Sequence, residues 1–515
     1  MNYKVVILLA GRGTRVPLSE NFHKSFISYN YKPIISHIID KYNSNTKFVL
    51  VLGHNYKIIL NYIKVAHPNM KFEKVIIRDY YSSASGPGKS LYAAKSYLSC
   101  PFISHACDTL VKEKIVPNKF NWIGISKNIS KDFLGVKIKD RKVKEFSSNY
   151  TNKFIGLCCI HDYKKFWDSL KKSLKSKNYE MIGGFNQILL NDNLLYKKFS
   201  WYDFGNEKSI SSNLKKLENK KIINYLPKND ELLFFYKKRV IKIFKDKSKA
   251  KKRFIRSHYI KSLLPKKIFF DKNILSYEYF KGSPMHITEN YELFNKILHK
   301  IKKNIWQSNY KLKISKKGYK YLLQRFYHDK TYTRVNLFLK DFHYYDKYQY
   351  INNVKVPKIL DILKKVDWES LYENKPSKFH GDLALNNIIT DKNKFCLIDW
   401  REDFAGNINV GDMYYDLSKL YHTFFISQRL EMDGSIQINR LDKKIYFKFK
   451  SYSNLLKYKK VFEKFVLEYD FDLYKIKILT NLIYLNIASL HNGNYSKLLF
   501  LYGKLNLWNI IKYGE

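Results

Sequence analysis

Short apolar runs separated by polar turns alternate along the first part of the chain. Uninterrupted runs of this length are typical of parallel strands that are buried on both faces. A helical segment, Leu91–Leu98, follows a turn rich in serine and glycine. The runs that we predict to be strands are Lys4–Leu9, Phe48–Leu52, Lys74–Arg78 and Phe102–Ala106. The pattern predicts an α/β domain over residues 1–212.

The pattern changes beyond about residue 220. Two alternating runs, Glu231–Tyr236 and Arg239–Phe244, indicate a strand pair, and a basic helix over Ser248–Ser262 follows them. Helical periodicity then dominates residues 285–375, and Leu455–Ile511 has the pattern of paired helices. A few strands followed by many helices predict a second domain of the α+β class over residues 220–515.

Composition limits the possible functions without choosing one. The chain has 515 residues, 45% of them hydrophobic, which is enough for two or three domains with real cores. Its formal net charge is +49, and a charge of this sign is typical of nucleic-acid-binding proteins. The lysines are spread along the whole chain, so we expect anionic substrates rather than nucleic acid. A basic nucleic-acid-binding protein stays an alternative.

The cysteines and the length of the apolar runs indicate the cellular compartment of the protein. Five cysteines occur without a C-x-x-C pair, so we expect reduced thiols and no zinc site. No apolar run reaches the ~18 residues that a membrane-spanning helix needs. We therefore expect a cytoplasmic protein with no membrane span.

The stretch Ser377–Trp400 contains carboxylate and amide side chains whose spacing suits a phosphoryl-transfer site. Asn387 lies five residues after Asp382. Asp399 lies twelve residues after Asn387 and directly follows an apolar run. One carboxylate in such an arrangement can accept the proton of an attacking hydroxyl. An amide oxygen and a second carboxylate suit Mg²⁺ bound to phosphates.

Two motifs in the second domain resemble the choline kinase and aminoglycoside phosphotransferase group, which is related to the protein kinases. They are H-G-D-x-x-x-x-N at His380–Asn387, followed by a strand and Ile398-Asp399-Trp400, and the segment Gly411–Leu420, GDMYYDLSKL. The resemblance implies a bilobal α+β protein kinase-like domain with lobes at about 220–283 and 284–515. It implies Asp382 as the catalytic base, Asn387 and Asp399 as Mg²⁺ ligands, and ATP as a substrate.

The same resemblance assigns the nucleotide pocket. Lys242, within Val240–Phe244, occupies the place of the strand lysine that holds the phosphates. The segment Asn273–Gly282 resembles the hinge that meets adenine, through Glu278, Tyr279 and Phe280. Two features depart from the group, since the basic helix contains no glutamate and no glycine-rich loop precedes Lys242. A regulatory or inactive kinase-like domain is therefore an alternative.

The first strand leads directly into Ala10-Gly11-Arg12-Gly13-Thr14-Arg15, followed by His23-Lys24 and Tyr31-Lys32-Pro33. This opening resembles sugar-phosphate and choline-phosphate nucleotidyltransferases, although His23 replaces a proline and Tyr31 a glycine. The resemblance implies a Rossmann-like mixed α/β sheet of the nucleotide-diphospho-sugar transferase type. It implies that Arg15 and Lys24 bind the triphosphate and the phosphorylated substrate. The residues implied at the nucleotide are Leu9, Ala10, Gly11, Gly13, Ser82 and Gly86.

Two aspartates far apart in sequence are the implied metal ligands of the first domain. Asp108 follows the strand Phe102–Ala106, and Asp203 lies in a W-x-D-x-G context at Trp201–Gly205. Two carboxylates and a triphosphate would satisfy the oxygen preference of Mg²⁺. The alternative for Asp203 is to cap the helix that follows it.

Taken together, the resemblances imply a bifunctional enzyme. One half would transfer a nucleotidyl group from an NTP to a phosphorylated small molecule, and the other would phosphorylate a small hydroxylated molecule with ATP. We expect CTP rather than UTP or dTTP, a choline-like acceptor or another modifier of capsule or lipopolysaccharide, and Mg²⁺ in both domains. The order of the reactions and the oligomeric state stay open.

Overall fold

The computed structural model describes residues 3–82, 84–117, 119–128, 132–191, 193–217, 230–307, 314–427 and 429–514. Internal contacts divide the chain into two compact units. The first comprises Met1–Lys247 with Phe270–Ser276, and the second comprises Ser248–Phe269 with Tyr277–Glu515. Among the described residues, no helix is long and apolar enough to cross a membrane.

A nine-stranded mixed sheet forms the centre of the first unit. The first strand pairs in parallel with a neighbour on each side. Its side chains alternate between two buried clusters, with Val5 and Ile7 in one and Val6 in the other. Both faces of this strand are therefore covered, which is why it is apolar from Val5 to Leu9. In spatial order the strands are Lys71–Ile76, Lys47–Leu52, Lys4–Leu9, Phe102–Ala106, Asn152–Ile160, Asn121–Lys127, Leu194–Lys198, Lys142–Phe146 and Val136–Lys139.

Helices and two short strand pairs cover this sheet. The α-helices are Ile34–Ile39, Tyr56–Ala66, Pro87–Tyr92, Tyr163–Lys175, Asn186–Leu190 and Glu207–Leu217. Single 3₁₀ turns occur at Pro17–Glu20, Lys24–Phe26, Lys95–Tyr97 and Met181–Phe185. The short pairs are Ser28–Tyr29 with Lys32–Pro33, and Thr109–Val111 with Trp201–Asp203.

A second, four-stranded sheet begins the later part of the chain, and its first two strands belong to the first unit. The aromatic ring of Phe234 lies 6.1 Å from that of Phe26 and 5.8 Å from that of Tyr62. Its strands are, in order, Glu231–Tyr236, Arg239–Phe244, Ile274–Glu278 and Phe269–Asp271. The division by contacts thus differs from the boundaries predicted at 212 and 220, because apolar side chains of this strand pair lie in the first unit's core. Residue 220 itself lies outside the described residues.

The second unit is mainly helical. Its α-helices are Lys247–Tyr259, Met285–Thr288, Tyr291–Ile301, Lys316–Gln324, Lys330–Phe342, Ile359–Lys364, Trp368–Tyr372, Met413–Tyr421, Leu430–Asp433, Ser453–Glu468, Leu473–Ala488 and Gly493–Tyr513. Shorter turns lie at Lys261–Leu263, Lys302–Trp306, Arg325–Asp329, His343–Asp346, Leu385–Asn387 and His422–Phe424. This unit also contains two small sheets. The strands of the three-stranded sheet are, in spatial order, Ser283–Pro284, Ile388–Asp391 and Lys394–Leu397. Those of the four-stranded sheet are Val354–Lys355, Tyr350–Ile351, Lys444–Lys448 and Gln437–Leu441.

Element existence was easier to predict than element bounds. The strands Lys4–Leu9, Phe102–Ala106, Glu231–Tyr236 and Arg239–Phe244 are confirmed. The strand predicted over Lys74–Arg78 instead spans Lys71–Ile76. The helix predicted over Leu91–Leu98 instead spans Pro87–Tyr92, because Pro87 suits a first helical turn, and only a 3₁₀ turn at Lys95–Tyr97 follows it. The region predicted as paired helices holds three, and the strand before Asp399 ends two residues short of it at Leu397.

Candidate functional site

The glycine-containing loop of the first unit lies at the carboxyl end of the first strand. Gly13 has a positive φ of 67°, which non-glycine residues adopt rarely. The next loop reaches it closely, since the backbone N–H of His54 donates to the carbonyl of Ala10 at 3.1 Å. A Cβ on Gly53 would lie 2.4 Å from that carbonyl oxygen. Ligands of α/β proteins gather at such carboxyl ends.

Lys24 is positioned by a short turn built into the core. His23, fully buried, accepts a hydrogen bond from the backbone N–H of Ser25 at 3.2 Å and so starts the turn Lys24–Phe26. Phe26 packs edge-on against Tyr62 at 5.4 Å. The ammonium of Lys24 reaches the carboxylate of Asp108 at 2.5 Å, and both side chains are less than one-fifth exposed. Burial lowers the pKa of His23 to about 3, so this histidine is neutral and adds no charge beside Lys24.

The short strand pair brings the two predicted metal ligands together. Asp203 is paired in register with Thr109, the residue after Asp108. The backbone N–H of Phe204 donates to the carbonyl of Asp108 at 2.8 Å. The helix that follows is capped by Asn206, whose side-chain oxygen accepts from the N–H of Ser209 at 2.9 Å. Asn206, and not Asp203, therefore caps this helix.

Lys24, Asp108 and Asp203 form a cluster in which the pKa of each residue is shifted by a neighbouring charge. Burial opposes the ionisation of Lys24 and Asp108, but their mutual attraction outweighs it, so the pKa of Lys24 is raised and that of Asp108 is lowered. The pKa of Asp203 is raised, first by burial and then by the negative charge of Asp108. Added positive charge beside Asp203 would therefore stabilise its ionised form.

The donor set fits a Mg²⁺ ion. A Cβ on Gly205 would lie 3.0 Å from Oδ1 of Asp203 and 3.2 Å from Oδ2 of Asp108, so the two carboxylates face one small space that glycine leaves open. Carboxylate oxygens are the ligands that Mg²⁺ prefers. In the parts of the chain that the structure describes, no group of three or more His, Cys, Asp or Glu residues suits a metal. A bound ion would thus take its other ligands from substrate and water.

The other implied nucleotide residues lie in two loops. Leu9 and Ala10 are buried at the strand end, whereas Gly11 and Arg15 are exposed in the loop. Ser82 and Gly86 belong to a separate loop that packs against Tyr179, where a Cβ on Gly86 would lie 2.7 Å from the Tyr179 carbonyl oxygen. The Ser82 hydroxyl is buried with no hydrogen-bond partner among the described residues. The roles of these residues stay predictions.

In the second unit, the backbone of the His380–Asp382 loop is held by one buried carboxylate. Asp416 accepts from the N–H of His380 at 2.6 Å and from that of Gly381 at 2.7 Å. Trp306 donates to the same carboxylate at 3.1 Å. Burial raises the pKa of Asp416 to about 6 although these three donors oppose the shift. The loop geometry therefore depends on a residue outside the loop.

Asp382 lies between a cation and an amide. Its side chain is 43% exposed, and its carboxylate lies 3.0 Å from the ammonium of Lys419. The amide nitrogen of Asn387 donates to the Asp382 carbonyl at 2.8 Å and to its carboxylate at 3.3 Å. Desolvation opposes ionisation of Asp382, but Lys419, His380 and Arg401 bring its pKa well below the ordinary value. A carboxylate of this kind is a weak base that orients a hydroxyl well.

Asp399 lies next to this loop through backbone hydrogen bonds on either side of it. The N–H of Ile398 donates to the carbonyl of Asn387 at 2.9 Å, and the N–H of Arg401 donates to the carbonyl of His380 at 2.9 Å. Asp399 itself has a positive φ of 62°, an uncommon conformation for aspartate. The Asn387 nitrogen is used by Asp382, so its amide oxygen is the atom left for a cation. Asn387 and Asp399 therefore fit the predicted Mg²⁺ site in their donor chemistry.

Sequence reasoning missed Arg256, which supports both loops. Its guanidinium is buried on the helix Lys247–Tyr259 and donates to the carbonyls of Phe379 and Arg401. It also lies 3.7 Å from the centre of the Phe379 ring. Burial lowers its pKa to about 9. In the sequence, Arg256 is one basic residue among several in the helix predicted over Ser248–Ser262, and nothing there distinguishes it from the others.

We expect Arg256→Met to slow the phosphorylation that the resemblance implies for the second unit, because two loop carbonyls lose their donor. The measurement is kcat for ATP-dependent phosphorylation, with nucleotidyl transfer in the same protein as the internal control. Arg256→Lys restores one donor and should recover part of kcat. If both reactions fall equally, Arg256 supports only general stability.

Lys242 is engaged within the first unit. Its ammonium lies 3.0 Å from the carboxylate of Glu231 on the neighbouring strand, and both side chains are almost fully buried. The charge of Lys242 is thus balanced by Glu231 on a strand rather than by a glutamate on the helix. Glu231 was not among the residues predicted from the sequence. Glu278 ends its strand and pairs with Lys267 at 3.1 Å, and Phe280 is half-buried. The nucleotide-binding roles of Lys242, Glu278 and Phe280 stay predictions.

Removal of one partner from this buried pair tests its role. We expect Lys242→Met to lower the free energy of unfolding by about 3 kcal/mol, since the Glu231 carboxylate loses its ammonium in a dry environment. Lys242→Met/Glu231→Leu should recover most of that loss. Denaturant unfolding measures both variants. A Lys242→Met protein of unchanged stability with weakened ATP binding would instead support a phosphate contact.

Comparison with known proteins places the similarity in the N-terminal part of the chain. No model of a known protein family matches. The Bifunctional protein GlmU of Methanococcus vannielii is 31% identical over 156 residues, which cover 30% of this chain and 34% of the relative. The chain therefore spans about a third of the length of the curated relatives it matches.

Two solved structures are similar at low identity. One is a CTP:phosphocholine cytidylyltransferase from Streptococcus pneumoniae, 17% identical, covering 42% of this chain and 100% of that chain, with a TM-score of 0.37. The other is the inositol-1-phosphate CTP transferase from T. maritima, 13% identical, covering 43% and 98%, with a TM-score of 0.36. The first unit has the mixed α/β sheet that the sequence predicts. The kinase-like fold of the second unit stays a prediction.

Proposed function

We propose that the first unit transfers a nucleotidyl group from an NTP, CTP by preference, to the phosphate of a phosphorylated small molecule. The observation that carries this proposal is the convergence of Lys24, Asp108 and Asp203 beside the glycine-containing loop. One cation and two carboxylates far apart in sequence meet at the carboxyl end of the sheet, where α/β proteins bind nucleotides.

The residues of this cluster suit a reaction between two anions. An oxygen of the acceptor phosphate attacks the α-phosphorus, the bond from that phosphorus to the bridging oxygen breaks, and pyrophosphate leaves. Lys24 and Arg15 neutralise phosphate charge and orient the two reactants. Mg²⁺ held by Asp108 and Asp203 would supply further charge neutralisation on the triphosphate. No covalent intermediate with the protein is needed.

We further propose that the second unit phosphorylates a small hydroxylated molecule with ATP. Asp382 orients the acceptor hydroxyl and receives its proton, while Asp416 and Arg256 fix the backbone around it. Asn387 and Asp399 would hold Mg²⁺, which screens the charge of the ATP phosphates. Both reactions consume nucleoside triphosphates, so a cytoplasmic location is part of the proposal.

A second candidate function keeps the nucleotidyltransferase and makes the kinase-like part regulatory. The observation that favours it is the buried pair of Lys242 with Glu231, because it occupies the lysine expected to hold phosphates. This candidate requires that the second unit bind nucleotide without turnover.

The test is incubation of the intact chain with Mg²⁺, ATP and CTP against a panel of alcohols and phosphate monoesters, followed by phosphorus NMR. We expect pyrophosphate and a new diphosphate diester from CTP, and ADP and a new phosphate monoester from ATP. UTP and dTTP serve as matched donors. If no NTP yields pyrophosphate with any monoester, the first proposal is wrong. If ATP binds without ADP formation, the regulatory candidate replaces the second.

A further inference from the structure

Lys419, Arg401 and Lys330 act electrostatically on the carboxylate of Asp382 in the second unit, and Arg334 lies near the last two. Lys419 is paired with it, at 3.0 Å. Lys330 and Arg334 lie one turn apart on the helix Lys330–Phe342, and Arg401 follows the Asp399 loop. Among the described residues, none of Lys330, Arg334 and Arg401 has an ion pair with a carboxylate. The Nε atom of Arg401 is buried without a hydrogen-bond partner there.

The aromatic rings beside Asp382 hold two of these cations close together. The ammonium of Lys330 lies 4.0 Å from the centre of the Phe326 ring and 5.3 Å from that of Tyr415. The guanidinium of Arg401 lies 5.1 Å from the same Phe326 ring. Aromatic faces attract cations but add no negative charge. The two like charges therefore lie beside the same ring.

The two acids that follow Arg401 in the sequence also pair with other cations. Glu402 pairs with Arg253 at 3.3 Å, and Asp403 pairs with Lys252 at 2.8 Å. The repulsion is consistent with the pKa of Lys330, which is well below its ordinary value because of burial and then of Arg401, Lys419 and Arg334. Like charges held together in a partly desolvated site are relieved by a bound anion.

We propose that the acceptor of the second unit is an anionic alcohol, one that carries a phosphate or carboxylate group as well as the hydroxyl to be phosphorylated. Lys330, Arg334 and Arg401 bind its anionic group, and its hydroxyl meets Asp382. This proposal rests on the proposed kinase function. It replaces the choline-like acceptor expected from the sequence, because a quaternary ammonium would add positive charge beside Lys330, Arg334 and Arg401.

The step is a phosphoryl transfer without redox change. The hydroxyl oxygen of the acceptor forms a bond to the γ-phosphorus of ATP, and the bond from that phosphorus to the β–γ bridging oxygen breaks. ADP leaves with the electron pair, and the hydroxyl proton passes to Asp382. The cations keep the anionic acceptor bound while two negatively charged molecules approach each other.

The phosphates of ATP have the same chemistry as the anionic group of the acceptor. The experiment must therefore distinguish an effect on acceptor binding from an effect on ATP binding. Acceptors are compared in matched pairs that differ only in the anionic group, namely glycerol against sn-glycerol 3-phosphate and ethylene glycol against glycolate, with choline as the cationic probe. Lys330→Gln and Arg334→Gln are compared with wild type. Lys340→Gln, at an exposed position of the same helix, is the matched control.

We expect turnover of the anionic members and little turnover of glycerol, ethylene glycol or choline. Each of Lys330→Gln and Arg334→Gln should raise KM for the anionic acceptor about tenfold to a hundredfold, the range for a lost charge-assisted hydrogen bond. KM for Mg·ATP should change by less than about threefold, and Lys340→Gln should resemble wild type. Equal or better turnover of choline or glycerol overturns the proposal, as does an effect of the variants on Mg·ATP alone.

Failure of the kinase function itself gives a different result. If ATP produces no ADP with any acceptor, the thermal unfolding temperature with and without inorganic phosphate decides the proposal. An increase in wild type that is lost in Lys330→Gln and kept in Lys340→Gln supports an anion site without kinase activity. No increase in wild type overturns the anion site as well.

Discussion

Asp203→Ala will remove nucleotidyl transfer almost completely and leave ATP-dependent phosphorylation unchanged. Asp203 faces the same small space as Asp108, and burial and the charge of Asp108 raise its pKa, so a bound cation would stabilise its ionised form. Loss of a Mg²⁺ ligand costs several kcal/mol of charge stabilisation at the transition state. We therefore expect kcat for pyrophosphate release to fall by roughly 10³-fold or more. Asp108→Ala should have the same effect, with an added loss of substrate binding because Lys24 loses its partner.

The measurement is pyrophosphate release from CTP and a phosphate monoester, with thermal unfolding of every variant in parallel. Asp79→Ala is the matched control, since Asp79 is an exposed carboxylate of the same unit. A variant of Asp203 that turns over normally but unfolds at lower temperature would contradict the metal role and leave a structural one.

Asp382→Asn will keep Mg·ATP binding and lose most phosphorylation. A general base assists the transition state and contributes little to ground-state binding. We expect kcat to fall roughly 10²–10⁴-fold, the range for general acid–base catalysis. The asparagine side chain cannot accept the proton, and it also removes the negative charge that faces Lys419.

Asp399→Asn should differ in kind from Asp382→Asn, because it removes a metal ligand. We expect it to weaken Mg·ATP binding as well as turnover. Calorimetry with Mg·ATP on both variants measures the difference, and Asp391→Asn, at an exposed strand end, is the matched control. Loss of Mg·ATP binding in Asp382→Asn with retention in Asp399→Asn would mean that the two roles are reversed.

The sequence predicted which residues of the first unit lie together where these residues follow buried strands. The apolar runs indicated where the strands end, and the carboxyl ends of neighbouring parallel strands meet at one edge. The loop after Leu9 and the turn at Asp108 follow two such strands, and these strands are paired in parallel. Asp203 needed its W-x-D-x-G context, because the strand that it ends is only three residues long and has no pattern of its own.

The supporting residues could not be predicted, because burial and long-range pairing decide them. Asp416 and Lys419 stood inside a motif quoted for its resemblance, yet nothing in the motif showed that one holds the His380 loop and the other faces Asp382. Glu231 is one acidic residue in an apolar strand, and only the fold brings it to Lys242. Long-range partners of this kind depend on tertiary packing, which local patterns do not contain.

The central claim is that one chain carries two separate catalytic sites. Its most direct measurement is phosphorus NMR of both reactions in Asp203→Asn and in Asp382→Asn, each given ATP, CTP, an anionic alcohol and a phosphate monoester. The account predicts a crossed pattern, in which Asp203→Asn forms ADP without pyrophosphate and Asp382→Asn forms pyrophosphate without ADP. Loss of both products in either folded variant would contradict it.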